Sequence, residues 1–166
     1  MNCIHINTVK KAKYYSMKIL MVCLGNICRS PLAEGILTHM LEEQGINWEV
    51  DSAGTGSWHI GEPPHRGSIK VARMNGIDIS SQRARQFSPN DFDNYDLILA
   101  MDSENYNNII SMSPSDAHKS KVKLILNYSY PGKNMAVPDP YFTGGFDNVF
   151  SLLENACHQL LKKHKL

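Results

Sequence analysis

The chain has 166 residues, 42% hydrophobic and 20% charged, the composition of one globular domain and not of a disordered segment. Seventeen Lys+Arg against sixteen Asp+Glu give a formal charge of +1, which excludes a global field for nucleic acid or an anionic membrane. An apolar run long enough to cross a membrane is lacking, and Cys3, Cys23, Cys28 and Cys157 make neither a dense disulfide framework nor a zinc spacing.

Residues 1–16 carry Lys10, Lys11 and Lys13 with no apolar stretch behind them, so they do not read as a secretory signal. The expectation is a cytoplasmic protein with a dispensable extension over 1–16 and one domain over 17–166. A short edge strand through Ile4, Ile6 and Val9 is the structural alternative for the extension. Lys18 to Cys23 is a nearly continuous apolar run and predicts a buried strand. A turn over 24–30 follows, and Pro31 suits the first turn of a helix because its missing N–H is not needed there. Leu32, Ile36, Leu37, Met40 and Leu41 give that helix one apolar face, and Gly45 closes it. Further strands are predicted over 48–53, 95–101 and 122–126. Helices are predicted over 67–74, 103–112 and about 146–163, with long loops over 54–66 and 127–145. Strands alternating with helices imply an α/β fold, a parallel sheet covered on both faces. Such sheets bind ligands beyond the carboxyl ends of their strands. Two turns lie at such places, 23–30 and the turn at Asp102.

The first turn carries the chemistry. Cys23 ends a strand and faces the start of a helix, where backbone N–H groups lack partners and the helix dipole is positive. A loop curling there makes an anion cradle from its own amides. Gly25 permits the curl, and Asn26 is the non-glycine type most tolerant of a left-handed backbone. Arg29 supplies a planar fork for two phosphate oxygens, and Ser30 can donate to a thiolate. The same positive surroundings favour thiolate over thiol at a cysteine so placed. Asp139 precedes Pro140, which disfavours a helical backbone before it, so the carboxylate is expected on an extended segment. Cys23 and Cys28 lie on one curled loop, close enough in sequence for a disulfide that would capture an oxidised Cys23.

Val22-Cys-Leu-Gly-Asn-Ile-Cys-Arg-Ser-Pro31 resembles the signature loop of the low-molecular-weight protein tyrosine phosphatases. The likeness continues through Asp51-Ser-Ala-Gly54, Trp58, Ala84-Arg-Gln86, Asp91-Phe92 and Met101-Asp102 to Asp139-Pro-Tyr141. It implies a four-stranded parallel sheet in a flavodoxin-like three-layer sandwich. It also implies Cys23 as a nucleophile forming a cysteinyl-phosphate, and Asp139 as the acid and then the base. The phosphoryl oxygens would be held by Arg29 and the loop amides of Leu24, Gly25, Asn26, Ile27 and Cys28, with Ser30 orienting the thiolate. Trp58 and Tyr141 are candidates for the walls of an aryl slot, with His59 beside them. Phe142 stands where many members carry a second Tyr.

No metal or other cofactor is implied. The implied partner is a phosphotyrosine protein. A tyrosine kinase of a polysaccharide-export system is one candidate, since bacterial members often serve such kinases. A monomer is expected. Three other readings compete. A protein arginine phosphatase of the same fold usually carries Thr where this chain has Ile27, and Ile gives an apolar wall suited to a phenyl ring. An arsenate reductase would need downstream cysteines, and only Cys157 follows Cys28. An inactive phosphate-binding module would have lost Cys23 or Asp139.

Overall fold

Strand β1, Lys18–Cys23, is the centre of the molecule. Its side chains alternate between two buried surfaces, as a strand covered on both faces requires. Ile19, Met21 and Cys23 enter one core cluster, and Leu20 and Val22 enter the other. The computed structural model describes residues 16–165, so the expectations for residues 1–15 lie outside it.

Strands β2 (Glu49–Gly54), β3 (Leu97–Ala100) and β4 (Val122–Leu124) complete one sheet in the order β2-β1-β3-β4. Every pairing is parallel. Helix α1, Arg29–Gln44, packs on one face with α2, Arg66–Met74, and the terminal helix α7, Phe146–His164. On the other face Phe92 of α3, Asp91–Asn94, and Ile109 of α4, Ser103–Ser111, join Leu20, Val22, Ile98 and Ala100. This is the predicted three-layer sandwich. Since β1 pairs with both β2 and β3, the chain leaves it on one side and returns on the other. The crevice beyond the carboxyl ends of β1 and β3 is therefore the topological switch point, where ligands bind in such sheets.

Two kinds of element differ from expectation. β4 stops at Leu124 and the chain turns into a 3-10 helix, Ile125–Asn127. Ile125 and Leu126 are adjacent, yet both enter the α1/α7 core. A strand, which alternates faces, cannot achieve that. The four-residue helices α3, α5 (Asp116–Lys119) and α6 (Pro140–Thr143) are too short to carry a helical period. α5 and α6 are set by caps, Ser115 accepting from the His118 N–H and Asp139 from the Tyr141 N–H, whereas Asn90, the N-cap of α3, makes no side-chain capping bond.

Gly45 ends α1 with φ 65°, and the Ile46 N–H reaches back to the Leu41 carbonyl at 2.9 Å. A Cβ at Gly45 would meet no atom within 4 Å, so its cost there is purely conformational. Gly45→Ala is therefore expected to destabilise by about 1–2 kcal/mol. The check is a lower urea midpoint at constant slope, with Gly45→Asn recovering part of the loss. An unchanged midpoint in Gly45→Ala would contradict the assignment.

Candidate active site

The turn between β1 and α1 curls around the Cys23 sulfur. Asn26 has φ 57°, the left-handed backbone expected of it. Its N–H points at Cys23 Sγ, 3.3 Å away. Gly25 does not adopt a positive φ, which corrects the expected reason for it. A Cβ there would lie 3.0 Å from the His59 ring, so Gly25 lets His59 approach. A Cβ on Gly54, at the end of β2, would lie 2.6 Å from the Leu24 carbonyl oxygen. The neighbouring strand end thus presses directly on the loop. Among the described residues the N–H groups of Gly25, Ile27 and Cys28 donate to no protein group. They remain available to an anion beside Cys23.

Asn26 also ties the loop to its surroundings. Its Nδ2 donates to Ser30 Oγ at 2.8 Å and to Ser52 Oγ at 2.9 Å, while its Oδ1 accepts from the Arg85 N–H at 3.0 Å. Ser30 Oγ lies 3.0 Å from Cys23 Sγ. Ser52 Oγ donates in turn to Glu34 on α1. Arg85 is braced by Asp51 through Nη2 at 3.1 Å and by Asp91 through Nη1 at 3.1 Å. Burial works against the Arg85 charge, but Asp91 and Asp51 outweigh it and raise its pKa. The Asn26 and Ser30 side chains are buried behind the loop and do not line the cavity.

Arg29 is the first residue of α1 and is buried. Its Nη1 donates to Asp102 at 2.8 Å and to the Val137 carbonyl at 3.0 Å. Its Nη2 lies 3.6 Å from Asp139. The Nη1 contacts fix the guanidinium plane and leave the Nε/Nη2 edge for two phosphate oxygens. Burial opposes the Arg29 charge, yet Cys23, Asp102 and Asp139 together raise its pKa above the ordinary value. Asp139 has the extended backbone expected before Pro140, φ −85° and ψ 111°, and caps α6.

Cys23, Leu24, Gly25, Ile27, Cys28 and Arg29 form the floor and inner wall of a cavity of about 160 Å³. Trp58, His59, Asp139, Tyr141 and Phe142 form its outer wall. Trp58 is 70% exposed, Tyr141 43% and Phe142 88%, so the rim is a ring of aromatic faces open to a ligand. Tyr141 stands edge-on to Phe142 at 4.7 Å between centroids. Cys28 and Cys23 are both free thiols. Burial, then Cys23 and Asp139, push the Cys28 thiol up to about 12, which leaves it protonated and a poor nucleophile beside Cys23. A sulfur at the base of a slot, an amide cradle, a fixed arginine and a carboxylate above it define a thiol-based phosphoryl-transfer site.

Residues 18–166 match the family model for low molecular weight phosphotyrosine protein phosphatase. The chain belongs to that family. YfkJ of Bacillus subtilis, a low molecular weight protein-tyrosine-phosphatase, is 44% identical over 147 residues, covering 87% of this chain and 94% of its own. The low molecular weight phosphotyrosine protein phosphatase of Schizosaccharomyces pombe is 40% identical over 152 residues, with coverages of 89% and 96%. The crystal structure of YfkJ superposes with a TM-score of 0.86, covering 93% of this chain and all of that one at 41% identity. A Drosophila arginine phosphatase superposes with a TM-score of 0.84 at 33% identity, covering 90% and 99%.

Three roles escaped the sequence. Neither the turn at Asp102 nor the Met101-Asp102 likeness says that Asp102 is the partner of Arg29. Ser52 and Glu34 carried no signal for the site beyond the Asp51-Ser-Ala-Gly54 likeness. Phe142, which lacks the hydroxyl of a second Tyr, lines the rim. Burial pushes the Glu34 carboxyl from 4.5 to about 7 despite its bond from Ser52. The folded protein therefore holds that proton more tightly than the unfolded chain. This group's stabilising contribution is full below about pH 4.5 and is lost as pH rises to about 7 and beyond. Glu34→Gln keeps an acceptor for Ser52 and cannot ionise. Its melting temperature should gain on wild type between about pH 5 and about pH 8. An equal difference at both pH values would contradict the burial account.

Proposed function

We propose that the chain is a protein tyrosine phosphatase that works through a phosphorylated Cys23. The observation that carries the reading is the Cys23 sulfur at the floor of the aromatic-rimmed slot, with Arg29 and Asp139, 3.6 Å from each other, lining the same slot. The thiolate attacks phosphorus in line while Arg29 and the loop amides of Leu24, Gly25, Asn26, Ile27 and Cys28 hold the phosphoryl oxygens. Ser30 donates to the Cys23 thiolate before attack and again as it leaves phosphorus in the second step. Asp139 gives its proton to the departing phenol oxygen. It then takes one from the water that cleaves the phosphorus–sulfur bond, releasing phosphate and the Cys23 thiolate. Trp58 and Tyr141 clasp the phenyl ring, and Phe142 and His59 extend the rim.

The proposed catalytic unit is residues 17–166, with 1–16 dispensable. The proposed setting is the cytoplasm, and the proposed enzyme is a monomer acting on a phosphotyrosine protein, a bacterial tyrosine kinase being the candidate class. Among the described residues no helix is long and apolar enough to cross a membrane.

Cys23→Ser should abolish turnover of an aryl phosphate with the fold retained, and Arg29→Lys should be nearly as severe because a point charge does not replace a bidentate fork. Asp139→Asn should cost about 10²–10⁴-fold on tyrosyl phosphate and much less on an activated nitrophenyl ester. Equal losses on both esters would remove Asp139 from the acid role, and substantial turnover by Cys23→Ser would remove the covalent step.

A second reading, arginine phosphatase, is favoured only by the likeness to the Drosophila enzyme. Ile27, buried in the slot wall, opposes it, because an apolar wall leaves a guanidinium leaving group without a hydrogen-bond partner. Side-by-side kcat/KM on phosphotyrosine and phosphoarginine peptides should favour phosphotyrosine, and Ile27→Thr should shift the ratio toward phosphoarginine. A wild-type preference for phosphoarginine would reverse the substrate assignment.

A further inference from the structure

Outside the slot, one surface joins concavity, unpaired charge and direct attachment to the phosphate loop. His65, the N-cap of α2, donates its backbone N–H to the Ile27 carbonyl at 2.7 Å. Ser68 Oγ donates to the Cys28 carbonyl at 3.0 Å. The first turn of α2 is thus bonded to the loop itself. The His65 ring lies 5.8 Å from that of Tyr141, which places this end of the helix beside the slot wall.

From there Arg66, Lys70 and Arg73 follow at steps of four and three residues, which puts all three on one helical face. With Ile69 and Met74 they line a groove of about 480 Å³. The three cations are exposed, and Met74 is 72% exposed. Lys18, Arg85 and Lys119 each sit within ion-pair distance of a carboxylate. Among the described residues Arg66, Lys70 and Arg73 have no such partner. Of the acids near this face, Asp78 feels Arg73 and Asp147 shares a neighbouring hollow with Lys70, neither within ion-pair distance. The whole chain carries only +1, so this concentration is not the by-product of a basic protein. Like charges at four- and three-residue steps weaken a helix, and an anionic occupant would relieve that repulsion.

We propose that this face of α2 docks an acidic segment of the phosphoprotein substrate beside its phosphotyrosine. The inference rests on the tyrosine-phosphatase reading of the slot. Arg66 to Arg73 spans about 10 Å along the helix, the reach of about three residues of extended peptide. Glu or Asp side chains of such a segment pair with Arg66, Lys70 and Arg73, and their methylenes lie on Ile69 and Met74. Each exposed pair adds about 1.4- to 5-fold in affinity, so three give about tenfold, and the gain falls with salt.

The test uses the full chain and three phosphotyrosine peptides: neutral flanks, three Glu before the phosphotyrosine, and three Glu after it. One acidic peptide should exceed the neutral one by about tenfold in kcat/KM at about 0.02 M salt, chiefly through KM, and by about twofold at about 0.5 M. The double variant Lys70→Glu with Arg73→Glu should lose that preference while turning over p-nitrophenyl phosphate at the wild-type rate. The same acidic-to-neutral ratio in wild type and double variant would overturn the proposal, as would a wild type that prefers neither acidic peptide. Binding of anionic lipid vesicles without any peptide preference would also overturn it, in favour of a membrane surface. If wild type left p-nitrophenyl phosphate and every peptide intact, the phosphatase reading itself would fail, and the small ester separates that outcome from failure of the groove.

Discussion

The left-handed backbone at Asn26 is the constraint on which the site depends. At φ 57° it reverses the chain so that the turn after β1 wraps the Cys23 sulfur instead of running past it. An L-residue does not hold that conformation without compensation. Here the compensation is the Asn26 amide, which bonds Ser30, Ser52 and the Arg85 backbone at once. One side chain thereby joins the loop, the start of α1, the end of β2 and the segment before α3. Arg85 keeps its own position through Asp51 and Asp91, so the tie ends on a braced scaffold.

The second organising feature is charge placed where an anion belongs. Arg29 is buried and would be costly alone. Asp102, at the carboxyl end of β3, and the Val137 carbonyl fix one edge of its guanidinium, and the other edge faces the slot beneath Asp139. Both supports come from the crevice created by the strand order, since β3 lies beside β1 with β2 on the opposite side. The sheet topology therefore sets the catalytic geometry as well as the core. A rim of exposed Trp58, Tyr141 and Phe142 then makes an aryl-shaped entrance above a charged floor.

Much of this was legible in the sequence because it is local. The strand, the Gly-Asn turn, the arginine and the start of the helix lie within a dozen consecutive residues, and Asp139 announces its extended backbone through Pro140. The two-sided burial of β1 likewise follows from its continuous apolar run, and the apolar face of α1 from its period. What was not legible depends on contacts far apart in the chain. Arg29 and Asp102 are 73 residues apart, and Asn26 and Arg85 are 59 apart. Their motifs could be seen, but nothing in the spacing says that they meet. The need for Gly25 is hidden for the same cause, because the His59 ring that crowds it comes from a distant loop. The short helices α3, α5 and α6 have four residues each, too few to carry a period, and only α5 and α6 have a side-chain cap.

The central claim is that the Asn26 amide, and not the left-handed backbone by itself, holds the phosphate cradle in shape. Calorimetric titration of inorganic phosphate into wild type and Asn26→Gly tests it directly, since glycine keeps the backbone accessible and removes the three bonds. Asn26→Gly is predicted to bind phosphate at least about tenfold more weakly than wild type, the equivalent of one or two net hydrogen bonds lost from the loop. Equal phosphate affinity in the two proteins would contradict the account.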